Sequence, residues 1–103
     1  KAGWVEVART EVIMNKHNPN FKKRLKMSYY FERRQEMKFE VWDWDTNAAD
    51  KSTRNQDYIG CVETTLANLV VDSGMPRKVM KRSGRVAAKG RARMVINCDE
   101  LKE

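Results

Sequence analysis

Asp43 and Asp45 stand two residues apart at the end of an alternating apolar–polar run, and Asp57 follows across a polar stretch without apolar periodicity. Two carboxylates at a strand end, with a third across a long loop, form a crescent of hard oxygen ligands. Calcium takes about six to eight oxygens in a flexible shell, so it is the cation this crescent suits. An EF-hand does not fit the same stretch. Counting from Asp43, Asp45 and Asn47 fall correctly, but Ala48 stands where that loop needs glycine and Arg54 where it needs a bidentate Glu. A solvated hairpin loop accounts for the aspartates equally well, because Asp favours turns.

Other chemistries lack their residues. Cys61 and Cys98 belong to no C-x-x-C pair, and the one histidine, His17, sits in an asparagine-rich turn, so zinc has no ligand set. The two cysteines read as free thiols of a reducing compartment such as the cytosol. There is no Gly-x-Ser-x-Gly, no glycine loop for phosphate and no nucleophile–base pair, which points to a binding module rather than an enzyme.

The elements that position the aspartates are legible from period and punctuation. Met37, Phe39 and Val41 alternate with Lys38, Glu40 and Trp42, the pattern of a half-buried strand. Residues 58–65 read as another strand. Leu66, Leu69 and Val70 have helical spacing, with Thr64 or Thr65 as the cap. Asp72-Ser73-Gly74 breaks the chain, Pro76 begins a basic strand, Ser83-Gly84 turns it, and Met94, Ile96 and Cys98 share one face of a last strand. Upstream, residues 4–13 and 21–30 read as two more strands, separated by the breaker Asn-x-x-Asn-Pro-x, and residues 31–36 as a polar connection. Short strands with turns between them predict an all-β, antiparallel β-sandwich with one short helix.

Charge supplies the partner class. The chain has 103 residues, a net charge of +7 and a pI near 9.7, so its partners are anionic. No apolar run reaches membrane-spanning length, so contact with a membrane is peripheral. Lys22, Arg24 and Lys26 project from one face of 21–30, with Lys23 interrupting the other, and offer donors to phosphate oxygens; the same row also serves simply to keep a sheet soluble. A second basic stretch has cations at 77, 78, 81, 82, 85, 89, 91 and 93 and no acid. Nucleic acid is the weaker partner for it, because the aromatics gather near the aspartate loop and not within that stretch.

The order of motifs, RTEVI, then Asn-x-x-Asn-Pro-x-Phe, YYFE-x-x-Q, FEV-x-D-x-D and D-Y-I-G, resembles the first C2 domain of a copine, a family of cytosolic proteins that move to phospholipid membranes when calcium rises. The likeness is dense from Arg9 to Gly60 and returns at RMVINCDEL. It implies an eight-stranded antiparallel β-sandwich with calcium loops at one end, a cytoplasmic protein recruited to the plasma membrane by calcium. By position it assigns Asp43, Asp45 and Asp57 as calcium ligands. Trp44 would contribute its carbonyl to the ion and its indole to the lipid interface. Lys22, Lys23, Arg24 and Lys26 fall near the strand that contacts anionic headgroups in many such domains.

The resemblance also implies one partial C2 domain over residues 1–103, lacking the family's first two strands and first calcium loop. About two carboxylates would then be missing, with calcium held weakly, of order millimolar. The opened sheet edges would suit a strand-swapped or edge-paired homodimer. The competing expectation is a calcium-independent module that binds target proteins by its basic face or an exposed edge.

Overall fold

A computed structural model describes residues 3–14, 18–30, 32–43 and 57–101. Its centre is the antiparallel pair of strand β1, Glu36–Asp43, and strand β2, Asp57–Thr65, in register from Glu36 opposite Thr65 to Asp43 opposite Asp57. The N–H of Leu66 donates to the carbonyl of Gln35 at 2.8 Å and extends the ladder one step. The alternation foreseen in β1 is only partly kept. Met37, Phe39 and Val41 are half-buried and Glu40 is exposed, but Lys38 and Trp42 are half-buried too. Lys38 lies over the Trp4 ring at 5.8 Å from its centre, where the stem of a long cation covers an aromatic surface.

The ladder shifts between Val41, opposite Gly60, and Trp42, opposite Tyr58, leaving Ile59 as the extra residue of a bulge. Beyond the shift the strands continue to the aspartates. Gly60 itself meets a second constraint. A Cβ there would lie 2.5 Å from a Val79 methyl and 2.8 Å from the Met80 carbonyl oxygen. Without it, Cys61 and Met80 exchange both backbone hydrogen bonds, at 2.8 and 2.9 Å, and a third segment lies antiparallel against β2.

Helix α1, Leu66–Val71, starts where Thr65 leaves the strand, its hydroxyl accepting the N–H of Asn68 at 3.2 Å. This cap satisfies an N–H that a helix of one or two turns cannot bond internally. Leu66 and Leu69 are its buried side, and Leu69 is 1% exposed. Gly74, at φ +82°, then turns the chain back, and its N–H reaches the Ile96 carbonyl. Strands β3, Pro76–Lys78, and β4, Arg93–Val95, pair antiparallel, and a 3-10 turn, Ala87–Gly90, leads into the latter. Past β4 the alternation persists: Met94, Ile96 and Cys98 are half-buried while Arg93, Val95 and Asn97 are exposed. Val62, Val79 and Ala87 form the buried cluster, with Ala92 and Met94 packed on it. No helix among the described residues is long and apolar enough to cross a membrane.

Residues 4–13 and 21–30 differ from expectation, because neither forms a strand in the structure. β-branched composition does not make a strand by itself; a ladder partner is required, and neither run takes part in the sheets of the described residues. Their apolar side chains, Val5, Val7 and Leu25 among them, stay exposed along an open cleft of about 3260 Å³. That is several times the size of a small-molecule pocket, so the cleft is an unfilled packing surface rather than a ligand site.

Replacing Gly60 with alanine is expected to lower unfolding free energy by about 1–3 kcal/mol, because the methyl must displace the Met80 backbone. Gly84→Ala, in open space at φ +87°, is the comparison and carries only its backbone strain, about 1–2 kcal/mol. Urea unfolding checks both, and a Gly60→Ala protein as stable as the original would remove the close approach as the organising constraint.

Candidate functional site

Asp43 and Asp57 end β1 and β2 directly across from each other, and both are exposed. Side chains in such a pair start from Cβ atoms about 4.5–5.5 Å apart, and like charges there repel. Neither carboxylate has a salt bridge among the described residues. Among the described residues the strand ends thus carry two facing carboxylates without a salt-bridged cation, which is the chemistry of half a hard-cation site. Trp44 and Asp45, assigned with them from sequence, lie outside the described residues. Among the described residues no three His, Cys, Asp or Glu side chains gather as a metal cluster.

Beneath the carboxylates the bulge places Trp42 opposite Tyr58, their rings edge to face at 4.9 Å and 74°. The Arg82 guanidinium lies over both, 4.1 Å from the Tyr58 ring centre and 5.8 Å from that of Trp42. Burial in the first place, and the Cys61 side chain in the second, push the Tyr58 phenol well above its ordinary pKa, so it stays neutral and protonated. Sequence reasoning missed this group. The Trp42–Tyr58 pair was readable once the hairpin register was known, but Arg82 arrives only through the Cys61–Met80 pairing, which no local pattern encodes.

Lys22, Lys23, Arg24 and Lys26 are all exposed, but they occupy an irregular segment and not the basic strand expected of them. Two of them are tethered by backbone: the N–H groups of Lys22 and Lys23 donate to the Glu11 carboxylate at 2.7 and 3.3 Å. Gln35, the glutamine of YYFE-x-x-Q, closes its own loop by accepting the Tyr30 N–H at 2.8 Å and donating to the Ser28 carbonyl at 2.9 Å. The motif therefore shapes the approach to β1.

The second basic stretch divides into spent and unspent cations. Arg77 faces inward, donating to the Thr64 hydroxyl and the Asn68 carbonyl and pairing with Asp72 at 3.8 Å. Arg93 donates to the carbonyls of Gly90 and Ala92. Lys78, Lys81, Arg82, Arg85 and Arg91 are exposed, and none has a carboxylate partner among the described residues. Cys61 is a buried free thiol; Cys98 is free and half-buried, with its pKa raised by burial first and the Asp99 charge second.

The family model of the C2 domain matches residues 2–81. Nicotinic receptor-associated protein 1 of Caenorhabditis elegans is 35% identical over 88 residues, covering 85% of this chain and 14% of that protein. Its namesake from Caenorhabditis briggsae is 36% identical over 81 residues, covering 79% of this chain and 13% of that protein. The chain thus spans about one-seventh of the length of these curated relatives. No solved structure matches.

The Glu11 tether has a pH signature. The backbone N–H groups of Lys22 and of Glu11 itself hold the carboxyl below its ordinary 4.5, so the tether is complete above that value and is lost as pH falls through the lower folded-state pKa. In an NMR titration the Lys22 and Lys23 amide resonances should move together with a midpoint below 4.5, and Glu11→Gln should abolish the transition. Independent movement of the two amides would break the assignment.

Proposed function

The chain belongs to the C2 domain family, and from that footing we propose that it is a calcium-dependent phospholipid-binding module of a copine-like protein. The observation that carries this reading is the Asp43–Asp57 pair, two facing carboxylates at the hairpin mouth without a cation among the described residues. Asp43, Asp45 and Asp57, with the Trp44 carbonyl, would hold the ion. Calcium there supplies charge neutralisation and a bridge to headgroup phosphate. The copine assignment rests on the order of RTEVI, YYFE-x-x-Q, FEV-x-D-x-D and D-Y-I-G, and reaches further than C2 membership.

The chain's own contribution is local. A net charge of +7 already draws the protein toward anionic bilayers, so calcium is not needed to reverse an overall repulsion. What the ion removes is the repulsion between the aspartates and the headgroups at one end of the sheet. Lys22, Lys23, Arg24 and Lys26 add attraction of about 1 kcal/mol each when close to the surface. With few carboxylates, affinity for calcium in solution is low, about 10⁻⁴–10⁻³ M, and rises when lipid phosphate completes the shell.

A second reading is favoured by the relatives, whose name declares association with a receptor. Here the domain is a protein-interaction module, and binding is saturable and indifferent to calcium and lipid.

Sedimentation with phosphatidylserine vesicles, in calcium and in chelator at physiological salt, separates the two. Calcium should increase pelleting of the original protein, and Asp43→Asn with Asp57→Asn should leave only the chelator level. Calcium stimulation that survives both substitutions sinks the calcium bridge.

A further inference from the structure

The antiparallel pairing of Met80 with Cys61 fixes where the next residues go. Moving forward from Met80 is moving backward along β2, so the turn over residues 81–85 travels toward Tyr58 and Asp57. The Arg82 guanidinium over the Tyr58 and Trp42 rings confirms that placement. The turn is closed by its own backbone, with the Lys81 N–H on the Arg85 carbonyl at 2.7 Å and the Gly84 N–H on the Lys81 carbonyl at 2.9 Å. Three exposed cations, Lys81, Arg82 and Arg85, are therefore held at the same end of the sheet as the facing aspartates.

The three cations are not balanced by any acid of the described residues. No carboxylate pairs with any of them among the described residues, and no acid occurs in the sequence between Asp72 and Asp99. Arg82 matters most. Its guanidinium lies over the aromatic rings, while its N–H groups have no acceptor among the described residues. A guanidinium placed over two rings with an unoccupied donor fork can take a phosphate in bidentate fashion.

We infer that the 81–85 turn is a phosphate-binding arm, in which Lys81, Arg82 and Arg85 take the headgroup phosphates of an anionic lipid surface without calcium. The membrane as partner rests on the reading proposed above, but the turn's action does not depend on the metal. Nucleic acid is disfavoured here because the two nearest rings pack edge to face on each other and Arg82 already lies over both, competing with a stacked base. A lipid surface fits better, since the arm and the hairpin mouth then touch one plane together. The carboxylates weaken the arm's field until a cation neutralises them, so the two contacts reinforce each other.

The test is vesicle sedimentation of the full chain on phosphatidylcholine–phosphatidylserine vesicles, scored separately in chelator and in calcium. In chelator, each cation lost from Lys81→Gln with Arg85→Gln should lower partitioning about fivefold. Arg82→Lys, which keeps the charge but not the planar fork, should also lower it. Lys78→Gln with Arg91→Gln removes the same charge elsewhere in the basic stretch and is expected to cost less. Unchanged thermal unfolding of the exposed Lys81 and Arg85 variants keeps the comparison free of folding effects. The inference is overturned if the turn variants bind like the original protein in chelator, or lose no more than the Lys78 and Arg91 control. Displacement from vesicles by inorganic phosphate matched to the accessible lipid phosphate would overturn it in favour of a soluble anion, and tighter binding to duplex RNA at equal salt would overturn it in favour of nucleic acid. Loss of calcium stimulation alone concerns the aspartates and leaves this inference standing.

Discussion

Gly60 leaves open the space that the Met80 carbonyl and a Val79 methyl fill, and the described fold follows from that approach. A side chain on β2 at this point would hold the 79–80 segment away and break the reciprocal bonds between Cys61 and Met80. Those bonds join the Glu36–Asp43 and Asp57–Thr65 hairpin to the Pro76–Lys78 and Arg93–Val95 ladder through a single bridge. Val79 enters the buried cluster with Val62 and Ala87 for the same reason. The bulge at Ile59, one residue earlier, sets Trp42 opposite Tyr58 and brings the two aspartates into line.

The site that results places opposite charges side by side. Facing carboxylates at the hairpin mouth repel each other, and unpaired cations lie on the adjacent turn. Neither group neutralises the other through a salt bridge among the described residues. Composition alone would credit every cation of the second basic stretch to an external partner. Arg77 and Arg93 are instead taken up by Thr64, Asn68, Asp72, Gly90 and Ala92, where the guanidinium donors find acceptors within the chain.

Much of the fold was legible because it is governed by short-range rules. Strand β1 followed from alternation, the helix from the spacing of Leu66 and Leu69, and its cap from the Thr64-Thr65 pair; the last strand, expected to run to Cys98, ends at Val95 although the alternation continues. Residues 4–13 and 21–30 carry an equally strand-like composition yet form no strand. Alternation reports which side chains favour a pleated surface; it says nothing about whether a neighbouring strand is present to accept the hydrogen bonds. The basic row at Lys22, Lys23, Arg24 and Lys26 was legible as charge, but its tether to Glu11 joins residues eleven and twelve apart and leaves no local trace.

The sequence by itself determined the antiparallel β character, the C2 family and the carboxylates at a strand end, because residue type, period and motif order express them over a few neighbouring positions. Only the tertiary structure decided that Asp43 faces Asp57 in register, that Arg77 turns inward, and that Arg82 covers Tyr58 beside the aspartates. Each of those depends on where one bulge falls and on how closely two backbones pass at Gly60. Such a distance between distant parts of the chain is set by packing, and the order of residues does not spell it out.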